Sequence, residues 1–250
     1  MNGRTLFLKL IAYFLIFTCI VYSVSFTVAH LFPEPNLLQR ILAVLLLFSV
    51  LYFVFRVKLP SLKPEFTFQK SIIHVFSILS VGYAFPVIII VLMGADQVYI
   101  NAKPVFINLW TPNILLFGVV YWLINGVIVA YFYHALTYNL FSKNGKLFGI
   151  FVSAVLFTLN YNVPLISGYW NPWDILFYGL GFSYSYSENR DIFAILLAYL
   201  VSEEPLWWCL LAPFGSKIFA LFLEIRFIFS VCALILYIRR YHKGGMDCGQ

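Results

Sequence analysis

The stretch "LLFGVVYWLINGVIVAYFYHAL", residues 115–136, contains no Asp, Glu, Lys or Arg. A helix needs about 20 such residues to cross the hydrocarbon core of a bilayer. The same pattern recurs along the chain. Of its 250 residues 62% are hydrophobic and 10% charged, with a mean hydropathy of +0.91. A soluble domain carries about 25% charged residues, because its surface must be largely polar. The alternation of apolar and polar residues that marks a membrane β-barrel is missing. The composition therefore predicts an all-α, polytopic membrane helix bundle.

Eight spans are expected, at roughly 6–30, 37–57, 71–95, 111–137, 147–167, 173–187, 191–212 and 217–238. The sixth is short, and "SYSYSENRD" is expected to fray its end. The seventh is interrupted by Ser202-Glu203-Glu204-Pro205, since proline lacks the backbone donor that continues a helix. An even number of spans places both termini on one side. Twelve cations fall on that side: Arg4, Lys9, Arg56, Lys58, Lys63, Lys70, Lys143, Lys146, Arg190, Arg239, Arg240 and Lys243. Three fall opposite, Arg40, Lys103 and Lys217. Positive charge is retained in the cytoplasm, so both termini are expected there. The segment 58–70, with its lysines, is suited to lie along anionic headgroups.

The net charge of +6 is thus a topology signal, and no nucleic-acid partner is implied. Cys19, Cys209, Cys232 and Cys248 show no paired spacing, so neither a disulfide framework nor a metal site is expected. The basic, apolar N-terminal run lacks a small-x-small cleavage site and reads as a retained first helix. With no internal repeat, residues 1–250 form a single integral membrane domain.

Ionisable groups inside spans are costly and mark function by default. Glu224 and Arg226 stand two apart in "FALFLEIRFIF", so they face different sides of one helix and suit a role in helix association. His74 and His134 fall near the cytoplasmic ends of spans three and four, where an interfacial position is expected. Hydrolase, metalloprotease, P-loop and dinucleotide signatures are all missing from the sequence, and no cofactor is expected.

The order of features from 115 to 162, a span, the basic turn "SKNGK" and then "LFGIFVSAVLFTLNYN", resembles the core of the CPBP family. These are the CAAX-processing and bacteriocin-processing membrane proteins, or Abi-type intramembrane endopeptidases. Active members carry EExxxR, FxxxH and HxxxN motifs on successive spans, whose glutamate and histidines activate water. The resemblance covers roughly residues 60–205 and implies a helical membrane fold. Carried over residue by residue, it puts Ile124 and Asn125 at the glutamate pair and Val129 at the arginine. Phe157 is kept, Tyr161 and Tyr199 stand at histidines, and Glu203 stands at the asparagine. Asparagine is no base, and a tyrosine with a pKa near 10 is a poor histidine substitute near neutral pH.

The resemblance thus implies an inactive homologue, with no catalytic residue assigned. Its remnant pocket would comprise Asn125, Asn160, Tyr161, Tyr199 and Glu203. The expected function is a non-catalytic binding or regulatory protein of the cytoplasmic membrane. Its partners would be the bilayer and a peptide, a prenyl- or lipid-tailed ligand, or another membrane protein. Two alternatives stay open: an active intramembrane peptidase with relocated Glu and His residues, and a transporter or accessory subunit of a membrane complex. For Glu203 and Glu204 three readings stand. They mark a helix break near the non-cytoplasmic surface anchored by Trp207 and Trp208, or Glu203 faces the pocket, or they form a relocated base.

Overall fold

The computed structural model describes residues 3–31, 37–56, 68–97, 114–161 and 172–244. Among these, no strand occurs. Helices α1 (Gly3–Leu31), α2 (Leu37–Phe55) and α3 (Phe68–Met93) are followed by α4 (Ile114–Ile128). The last passes without a break into a π-helical stretch, Val129–Leu136, and then α5 (Thr137–Phe141). A tight turn leads to α6 (Lys146–Tyr161), and then come α7 (Pro172–Asn189), α8 (Ile192–Ser202), α9 (Glu204–Leu211) and α10 (Ser216–Gly244).

Helix therefore occupies each of the eight expected segments, and the all-α class holds. Among the described residues four stretches are long and apolar enough to cross a membrane: Arg4–Val24, Gln69–Met93, Val119–Asn144 and Ser216–Arg240. The helices Ile41–Phe55, Lys146–Leu159 and Ile192–Ser202 are apolar but shorter. The outward faces are apolar too. Val91, Leu92, Phe53 and Leu147 are each about three-quarters exposed, while Ser153, Ser183, Ser185, His74 and His134 lie inside.

Helix α10 runs antiparallel along α3, with Phe76 against Phe229 at 5.1 Å and His74 against Tyr237 at 5.1 Å. Helix α7 lies between two neighbours, and paired glycines set the spacing. A Cβ on Gly179 would stand 3.2 Å from the Ala154 backbone on α6. One on Gly181 would stand 3.0 Å from Leu79 Cδ2 on α3. Residues two apart on a helix face nearly opposite ways, so each glycine serves a different neighbour.

That geometry corrects the expectation for the sixth span. "SYSYSEN" does not fray. Helix α7 continues to Asn189 and buries Ser183, Ser185 and Tyr186. At one end of the bundle, Tyr13 meets Phe55 at 5.3 Å and Phe141 at 5.4 Å. Lys146 pairs with Glu188, and Arg190 donates to Asn139, at that same end. At the other end Ser216 donates to Asp96.

Candidate functional site

The interruption between α8 and α9 is set by chemistry in the sequence. Pro205 has no N–H, so the carbonyl of Val201, four residues back, loses its helical donor. Glu203 leaves the helix at ψ 84, although its N–H still reaches Tyr199 O at 3.0 Å. The orphaned carbonyls are then taken up from outside the ladder. Arg226 on α10 donates to Val201 O at 3.3 Å, and the Trp207 indole donates to Leu200 O at 2.9 Å. Ser202 Oγ donates back to Ala198 O at 2.7 Å, which leaves it as acceptor for Tyr83 OH at 2.7 Å.

Charge is buried at this break. Glu203 is 4% and Arg226 3% exposed. The Arg226 guanidinium lies 4.3 Å from the centre of the Tyr83 ring, a cation–π geometry that gains strength away from water. Trp207 stacks on Phe222 at 4.5 Å. The helix break expected at Ser202–Pro205 is present, with Glu203 between α8 and α9. Glu203 is buried there, and the half-buried Trp207 turns its indole N–H to the Leu200 carbonyl that the break leaves open. Glu224, two residues from Arg226, is half-buried, so the two do face different sides.

One turn earlier on α8, the Tyr199 hydroxyl accepts from Asn125 Nδ2 on α4 at 2.7 Å. Gly126 permits this approach, since a Cβ there would lie 2.7 Å from Leu196 Cδ1 and 2.9 Å from Tyr199 Cδ1. Asn125, Tyr199 and Glu203 thus lie together along the inner side of α8. The side chains of Asn160, Tyr161, Glu204 and Trp208 lie outside the described residues, as does the 58–67 part of the connection expected along the headgroups.

A second polar centre was not singled out by the sequence. His134, on the π-helical stretch, is fully buried, and His74 on α3 is 3% exposed. Both rings lie inside the bundle, each against a serine of α7. His134 Nδ1 lies 2.9 Å from Ser183 Oγ, Ser183 donates to Ser153 Oγ at 2.9 Å, and Ser153 donates to Tyr133 O at 2.5 Å. A carbonyl only accepts, so every hydroxyl proton in this chain points toward it and Nδ1 must carry its own proton. The wider π turn also changes the backbone pattern next to it. Thr137 N–H bonds back to Phe132 O, and Thr137 Oγ1 donates to the same carbonyl at 2.8 Å. On the opposite side of α7, His74 Nδ1 lies 3.2 Å from Ser185 Oγ and 3.0 Å from Asn189 Nδ2.

The signal that could have found these centres was the alternation Ser183-Tyr184-Ser185-Tyr186, which looks like a polar fringe until the helix is given a neighbour on each side. Chemically, the Asn125–Tyr199 pair is neutral. Among the described residues no three His, Cys, Asp or Glu side chains gather as a metal site would require. No family model, no curated protein and no solved structure matches the chain.

Proposed function

We propose that the chain is a multi-pass protein of the cytoplasmic membrane, with about eight spans and both termini in the cytoplasm. Its inner side would bind a peptide or lipid-tailed ligand without cleaving it, on a scaffold like that of the CPBP endopeptidases. The observation that carries this reading is the 2.7 Å hydrogen bond from Asn125 to Tyr199. The resemblance assigns these positions to a catalytic glutamate and histidine, and here they satisfy each other instead of activating water. The hydroxyl chain below His134 points the same way. Ser153 and Ser183 direct their protons toward a backbone carbonyl and not to the imidazole. Outward apolar faces and interior polar groups fit a surrounding of lipid.

The test uses the full chain in lipid nanodiscs with a fluorescent prenylated peptide. Saturable binding is expected, with the peptide recovered intact by mass spectrometry. Asn125→Leu with Tyr199→Phe should weaken binding about tenfold, the equivalent of roughly 1.4 kcal/mol. Cleavage at a fixed bond, abolished by Glu203→Gln, would replace this reading with an active peptidase. Intact peptide and no binding would favour an accessory subunit. A C-terminal fluorescent-protein fusion should glow and a phosphatase fusion stay inactive if the terminus is cytoplasmic.

A further inference from the structure

Among the described residues two that are not glycine adopt positive φ, and both are arginines: Arg56 at φ 45 and Arg190 at φ 57. They follow the last residues of α2 and α7, the position where helices usually place glycine because a Cβ is strained in the left-handed region. The other positive-φ positions are glycines: Gly94 and Gly215 at the opposite end of the bundle, and Gly145 in the turn beside Lys143 and Lys146. The helix dipole alone would be served by a cation within the last turn, with no backbone strain. Something else favours arginine at these corners.

Contacts between helix ends place the two corners on one face. Tyr13 bridges the end of α2, at Phe55, to α5 through Thr137 at 2.7 Å. Arg190 donates to Asn139 just beyond, and His74 ties the start of α3 to the end of α7. Arg190 is exposed yet fixed, its guanidinium 4.7 Å from the Tyr138 ring centre and 5.5 Å from that of Tyr186. Exposed Lys143 and Lys146 stand in the adjoining turn, with Lys146 5.5 Å over Tyr184. Lys70, Arg239 and Arg240 are exposed on the same end. Against them, Glu188 is the single exposed acidic side chain described there, and Lys146 already holds it.

We propose that this end of the bundle is a docking surface for the phosphate headgroups of anionic phospholipids, centred on Arg190. Cations held among tyrosines suit the depth at which headgroups lie, because a tyrosine ring prefers the boundary between hydrocarbon and water. A guanidinium offers a planar set of donors that matches phosphate oxygens, and Arg190 arrives already oriented. The surface rests on the membrane reading given above, but it adds a lipid class that the reading does not require.

The experiment compares the full chain in nanodiscs of phosphatidylcholine with nanodiscs containing phosphatidylglycerol. The readouts are the melting temperature and the lipids retained in native mass spectrometry. Phosphatidylglycerol should raise the Tm by about 5 °C, and added salt should shrink the shift. Arg190→Gly relieves the backbone while removing the cation. It should keep its Tm in phosphatidylcholine and lose most of the gain, whereas Arg190→Lys should recover part of it. If Arg190→Gly does not fold, Lys143→Gln and the wild-type lipid comparison still decide. Equal Tm values in both lipids with no phosphatidylglycerol retained would overturn the proposal, as would an Arg190→Gly response like that of the wild type. Equal stabilisation by inorganic phosphate in phosphatidylcholine discs would also overturn it, in favour of a soluble-anion site. Failure to enter either disc would sink the membrane reading itself, whereas entry without lipid preference would sink only the docking surface.

Discussion

Around His134 the bundle buries neutral groups, whereas around Glu203 it buries charge, and the backbone differs accordingly. At the first centre the helix widens into a π turn without stopping. Carbonyls of that stretch are met by hydroxyls from Thr137 and from Ser153 on α6. At the second, proline stops the helix outright, and the exposed carbonyls draw in an arginine and an indole. A small disturbance of the ladder needs only short neutral donors. A full break leaves several carbonyls on one side, and a long cationic side chain can reach them from a neighbouring helix.

Removing the long donor should break this contrast most sharply. Arg226→Leu deletes a charge-assisted hydrogen bond and a desolvated cation–π contact, so a loss of about 3 kcal/mol is expected. Unfolding in detergent by added SDS would measure it, and Arg226→Lys should restore little, since an ammonium lacks the planar donor set. A loss below about 1 kcal/mol would mean that the break holds itself. Next comes the seam that brings Asn125 to Tyr199. Gly126→Ala would force a methyl to 2.9 Å from the Tyr199 ring, and about 2 kcal/mol of destabilisation is expected in the same assay.

The neutral centre should be softer. Ser183→Ala leaves the His134 Nδ1–H only the longer 3.4 Å contact with Ser153 Oγ, for roughly 1.5 kcal/mol. Combined with His134→Phe it should cost less than the two separate losses added together, and a double-mutant cycle would show the coupling. Additive losses would mean that the directed chain is not a unit. The smallest effect belongs to the exposed Lys146–Glu188 pair. Glu188→Gln should change stability by about 0.5 kcal/mol or less.

The pair also has a pH signature. The hydrogen bond to Glu188 raises the Lys146 ammonium above the usual lysine value of 10.5. A raised folded value stabilises fully below the unfolded pKa and is lost as pH rises through the folded one. The contribution should therefore persist through neutral pH and fade in strong alkali, as a pH series of melting curves would show.

Much of the helical layout was legible. Runs without charge located the segments, because each must satisfy its backbone internally. Proline at 205 located the break, because it removes a particular donor. The neighbourhood of Asn125, Tyr199 and Glu203 was expected only through a family resemblance, and two of those three meet directly. Tyr83, Ser202 and the inward Trp207 carried no signal, since nothing local marks one aromatic in an apolar run as polar-bonded.

The sequence by itself determined where helices form and where one must stop, since both follow from local hydrogen bonding and from hydropathy. It also determined that Ser183 and Ser185 face different ways, through the rotation of about 100° per residue. Only the tertiary structure decided that His134 waits on one side and His74 on the other. A helix's period fixes the direction of each side chain but not what stands there. That depends on how closely neighbouring helices approach, and here Gly179 and Gly181 let α6 and α3 come in on opposite sides of α7.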